Sequence, residues 1–263
     1  MNECLFQNTE PQRMQLTCKE LPNGIRIVHQ EIPHTRLVHC GFILNIGSRD
    51  EDQEQEGLAH FWEHMAFKGT QKRKTFHILN RLESLRGELN AYTTKEKVCF
   101  YASVLKDHYG KAAELLYDIT FHSTFPEKQI ERERQVILEE MAMYRDSPDD
   151  AIQDELDALV FDQHALGRNI LGTEQTVGNF HHQDFIDFIS SRLDTSQLVF
   201  SIVGNISFEK ALRQIEGPLR EIPTKRTLYT RSGFQTYQAK QKTSKREISQ
   251  SLCAIGRPAY SLH

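Results

Sequence analysis

A chain of 263 residues with 38% hydrophobic content is long enough to bury one full core or two small ones. Its formal net charge of −4, with no long basic block in the first two hundred residues, sets nucleic acid aside as a partner, and no run of about 18 apolar residues is present to span a membrane. The opening residues, Met1 to Gln7, have neither the basic nor the apolar region of a targeting segment, and the five cysteines are odd in number and form no C-x-x-C pair, so the expectation is a cytoplasmic protein with reduced thiols.

In chain order, residues 14–21 and 25–32 read as a hairpin around Pro22-Asn23-Gly24, and residues 36–46 as a buried strand. Helical periodicity covers 56–68 and 74–86. Alternation then gives two strands, 88–94 and 97–105, joined at Lys95-Glu96. Residues 107–122, 127–145 and 148–162 read as helices, with Ser147-Pro148 as a break and a helix-start pair. A helix over 182–192, a strand over 197–204 and a helix over 207–216 complete the series. The expected fold class is α+β, a two-layer sandwich of helices on a mainly antiparallel sheet.

The chemistry concentrates in the first helix. His60-Phe61-Trp62-Glu63-His64 spells H-x-x-E-H. Residues four apart lie on one helix face, so His60 and His64 can aim two imidazoles at one metal ion. Glu63 stands at the edge of that face, near enough to take a proton from a metal-bound water without being a ligand. Leu58, Phe61, Met65 and Phe67 surround these polar groups, as in a buried amphipathic helix whose polar residues need partners. The alternative is a surface helix with solvated His and Glu.

A catalytic zinc takes three protein ligands, so two histidines leave the set incomplete. Within the helix 127–145, Glu133 and Glu140 stand seven residues apart, two turns, and share a face with Ile130, Ile137, Met141 and Tyr144. Glu131 and Glu139 point elsewhere, toward solvent. Taken alone, Glu133 and Glu140 also fit a charged, solvated helix face.

Taken together, these residues resemble the pitrilysin/insulinase family of zinc metallopeptidases, the inverted zincins, and within it the β-type subunits of processing peptidases. Glu140 stands 76 residues after His64 and 7 after Glu133, the spacing of that family's third ligand and its second functional glutamate. The likeness runs from about Met14 to about Glu216. It takes in the hairpin Leu21 to Val28, the segment Gly41 to Glu51, the segment Gly87 to Glu96 and the turn Gly167 to Glu174. What it implies is the fold shared by LuxS and the processing peptidases. It also implies one zinc per chain on His60, His64 and Glu140, Glu63 as general base, Glu133 orienting a ligand or the water, and Asn90, Ala91, Tyr92 and Thr93 as a sheet edge that takes a peptide substrate as an added strand. The implied reaction is endopeptidase hydrolysis of peptides or unfolded segments.

Residues 1–216 hold this metallopeptidase domain. Residues 217–246 are basic and weakly periodic and read as a linker. Residues 247–263 read as the first strand of a second, truncated homologous domain, so the resemblance implies a second domain or partner subunit to complete a chamber. Two other readings stand beside the peptidase: a non-catalytic scaffold subunit, and an S-ribosylhomocysteine lyase, where a cysteine such as Cys99 would replace Glu140 as the third ligand.

Overall fold

The computed structural model describes residues 16–247 and 249–259. Its centre is an open six-stranded sheet made of β1 (Leu16–Glu20), β2 (Arg26–Glu31), β3 (Leu37–Leu44), β4 (Glu88–Thr93), β5 (Val98–Leu105) and β6 (Leu198–Gly204), in the order β1-β2-β6-β3-β5-β4. Every pair is antiparallel except β2 with β6. The expected α+β sandwich is present, with one parallel pair inside its sheet.

Alternation along the strands decides which face is covered. Phe42, Phe100 and Phe200 are cross-strand partners on β3, β5 and β6, and all three are fully buried. Their neighbours Ile43, Tyr101, Val199 and Ser201, on the opposite face, are only half-buried. The covered face carries α1 (Leu58–Met65), whose Trp62 meets Phe100 at 5.7 Å between ring centroids. It also carries α3 (Tyr109–Phe121), which buries Ala112, Leu115, Leu116 and Ile119.

Between these run α2 (Thr75–Glu83) and, after α3, the 20-residue α4 (Glu127–Asp146) and α5 (Pro148–Val160), which starts with Pro at its first turn. The short α6 (Glu174–Asn179), capped by the Thr173 hydroxyl, falls in a stretch where no helix was expected. Then come α7 (His182–Arg192) and α8 (Phe208–Glu221).

The largest shift of a helix end is in α8. The last helix was expected to stop at 216, before Gly217-Pro218, yet α8 continues through Pro218 to Glu221. Ala211, Ile215 and Leu219 are spaced four apart and fully buried, and that burial outweighs the one backbone donor that proline lacks. Residues 217–221 therefore belong to α8, and the chain after them is laid along the domain. Arg231 binds the Asp50 carboxylate at 2.7 and 2.8 Å, and Lys242 and Arg246 pair with Glu155 of α5 at 3.1 and 3.0 Å. The strand expected over 247–263 falls partly on Ile248 and residues 260–263, outside the described residues; residues 249–259 have no strand assigned.

Candidate metal centre

The site forms where α1 and α4 cross on the covered face. On α1, Phe61 anchors the buried side against Phe185 of α7 at 5.3 Å, and Trp62 anchors it on the sheet. The opposite edge of the short helix turns His60, Glu63 and His64 toward α4. On α4, Ile130 and Ile137 are fully buried, which points Glu133 and Glu140 at α1. Glu131 and Glu139 are exposed, as the spacing predicts.

One donor atom from each of His60, His64 and Glu140 lies within 4.8 Å of the others. His64 Nε2 stands 3.5 Å from Glu140 Oε2, and His60 Nε2 stands 3.9 Å from Glu140 Oε1. Ligands around a four-coordinate zinc, each about 2.0–2.2 Å from the ion, are separated by little less than this. Burial, and after it the neighbouring His64, pushes the His60 imidazole down to about 3, so it is neutral, the form that ligates a metal. His60 Nδ1 is buried with no hydrogen-bond partner among the described residues, so packing alone sets the ring. Two imidazoles and a carboxylate converging this closely fit a zinc ion. Cys99, the alternative third ligand, lies on β5 outside this group, and its thiol is raised by burial away from the thiolate form.

Glu63 is half-buried, and its Oε2 accepts a 2.7 Å hydrogen bond from the Thr93 hydroxyl at the end of β4. Burial lifts the Glu63 carboxyl above the ordinary range, with the Thr93 bond pulling the other way. Glu133 Oε2 lies 3.8 Å from His64 Nδ1 and is paired with the Lys68 ammonium. Burial would raise Glu133, but contacts from His64 and Lys68 outweigh it and hold the carboxyl below its usual value. Asn90, Ala91, Tyr92 and Thr93 all lie on β4, the last strand of the sheet, whose outer edge pairs with no other described strand. Asn90 and Tyr92 face outward, whereas Thr93 turns toward Glu63.

The start of α1 is fixed by a group that local spacing does not reveal. The buried Glu51 carboxylate accepts N–H groups from Gly57 at 3.0 Å and Ala59 at 2.7 Å, capping the helix from eight residues upstream. Gly57 itself has φ +96°, and a Cβ there would lie 2.5 Å from the Leu171 carbonyl oxygen. The 167–174 turn is thus pressed against the entrance of the helix, and Arg168 adds a 2.9 Å bond to the Glu51 carbonyl.

An open mixed sheet covered on one face, with an H-x-x-E-H helix crossed by a glutamate-bearing helix, defines the class: a metallopeptidase-like α+β domain. The chain belongs to the insulinase family, peptidase family M16, whose model matches residues 26–174. An uncharacterized zinc protease of Bacillus subtilis is 37% identical over 242 residues, which is 91% of this chain and 58% of that protein. The mitochondrial-processing peptidase subunit beta of Bos taurus is 36% identical over 199 residues, 75% of this chain and 40% of that one. The periplasmic protease PqqL of Escherichia coli has the same fold, with a TM-score of 0.77 at 23% identity over 85% of this chain and 26% of its own. A Pseudomonas fluorescens peptidase M16 domain described as inactive also shares it, with a TM-score of 0.75 at 16% identity over 83% of this chain and 53% of that one. The chain spans about half the length of the curated relatives it matches.

Proposed function

We propose that this domain is the catalytic half of a zinc-dependent endopeptidase acting on peptides or unfolded segments. The observation that carries the reading is the convergence of His60, His64 and Glu140 within 4.8 Å beside a half-buried Glu63. His60, His64 and Glu140 would hold one zinc, which when bound supplies Lewis-acid polarisation of the scissile carbonyl and a more acidic water.

The protein's own groups do the rest. Glu63, lifted by burial and steered by Thr93, accepts the proton of the attacking water and returns it to the leaving amine. Glu133 braces His64 from behind. The free edge of β4 offers Asn90, Ala91 and Tyr92 to a peptide added as a strand, and Thr93 closes that edge against the base. A second homologous domain or partner subunit supplies the opposite wall.

The scaffold reading draws on the fold neighbour described as inactive. Here all four motif groups are present and converge, which favours the enzyme. The deciding experiment measures zinc per chain together with peptide cleavage for the parent, His64→Ala and Glu63→Gln. His64→Ala should lose zinc and Glu63→Gln should retain it. No zinc in the parent, or equal loss in both variants, refutes the ligand assignment.

A further inference from the structure

Behind His64 lies a group that the H-x-x-E-H pattern does not include. Lys68 follows α1 by one turn, and its backbone is tied at both ends. Its N–H is donated to the Met65 carbonyl at 3.0 Å, and its carbonyl accepts the Thr75 hydroxyl at 2.9 Å. This places the ammonium on Glu133 Oε2, with the lysine side chain 26% and the glutamate 8% exposed. The same oxygen faces His64 Nδ1 at 3.8 Å, longer than a formed hydrogen bond. On its far side, His64 presents Nε2 to Glu140 at 3.5 Å.

A histidine offers a lone pair on one ring nitrogen only if its proton sits on the other. A carboxylate behind that other nitrogen selects this tautomer and fixes the ring. Charge leads to the same residue. The Lys68 ammonium is the cation paired with Glu133 among the described ion pairs.

Resting on the zinc reading above, we propose that Lys68 is a positioning residue. It pins Glu133 behind His64, so that His64 carries its proton on Nδ1 and turns a bare Nε2 toward Glu140.

The test uses the 263-residue chain, Lys68→Met and Lys68→Arg. Melting of the metal-free proteins checks the fold. Nitrogen-15 histidine spectra of the metal-free proteins report the His64 tautomer, and competition with a chromophoric chelator reports zinc affinity. The parent should show the Nδ1–H form. Lys68→Met should lose its dominance and bind zinc about 10–100-fold more weakly, with melting nearly unchanged, and Lys68→Arg should restore both. If Lys68→Met does not fold, Lys68→Gln, which keeps a donor without the charge, takes its place in the same comparison. An unchanged tautomer with zinc affinity within about twofold of the parent overturns the proposal. A parent that binds no zinc refutes the metal reading instead, and the tautomer still decides the role of Lys68.

Discussion

At the scale of single residues, Thr93 separates two roles. Its place on the free β4 edge made it a substrate contact in the sequence reading, yet its hydroxyl is spent on Glu63. A group that steers the base acts on turnover, whereas a group that holds peptide acts on binding. Thr93→Val keeps the shape and removes the donor. It should lower kcat about tenfold, roughly 1.4 kcal/mol, with little change in KM or zinc content. A raised KM at unchanged kcat would return Thr93 to the substrate edge. Glu63→Gln should reduce cleavage by at least about a hundredfold with zinc retained, as steady-state kinetics on metal-loaded protein would show. The histidines and Glu63 were legible because their relationship is local, one helical turn. Helical spacing set Glu140 apart from the exposed Glu139, but only the family's spacing marked it as a third ligand rather than part of a charged helix face. Lys68 and Thr93 reach the site by tertiary packing, 65 and 30 residues from their partners Glu133 and Glu63, and no periodicity records that.

At the scale of elements, α1 is only eight residues long, too short to hold itself. Its stability comes from apolar packing and from its N-terminal support. Glu51→Ala removes acceptors from two N–H groups at once and should cost about 1–2 kcal/mol. For a chain of this size that lowers the melting temperature by about 2–8 °C, and zinc affinity should fall with it because His60 follows Ala59 directly. Gly57→Ala combines a left-handed φ with the Leu171 carbonyl and should cost about 1–3 kcal/mol, readable in the same melting experiment. The sequence shows an acid-rich loop before the helix, but not which acid turns back to cap it. The same limit explains α8, where Gly217-Pro218 reads as a stop and only the buried position of Leu219 explains why the helix continues.

At the scale of the whole molecule, strand existence and order along the chain were legible, whereas the insertion of β6 between β2 and β3 was not. That insertion makes β2–β6 parallel and depends on a connection of more than a hundred residues. Among the described residues, the resulting sheet is covered on one face only. Leu37 and Leu105 on its central strands are 41% and 40% exposed, and Tyr92 on the β4 edge is 38% exposed. A peptide lying along β4 would meet protein on one side and water on the other. A strand added at one edge gains main-chain hydrogen bonds, but a second wall is needed to exclude water and hold the far end. The matched region is 58% of the Bacillus subtilis relative and 40% of the Bos taurus one, which leaves room in those proteins for such a wall. The expected outcome is that residues 1–263 fold and bind zinc but cleave peptides slowly. Joining the site to a second homologous domain, in the same chain or as a separate one, should raise kcat/KM by at least about tenfold, the change that about 1.4 kcal/mol of added transition-state stabilisation produces. The measurement is peptidase rate at equal zinc occupancy with and without the second domain. Equal rates would mean that one sandwich supplies the whole site, and that the free edge of β4 needs no opposite wall.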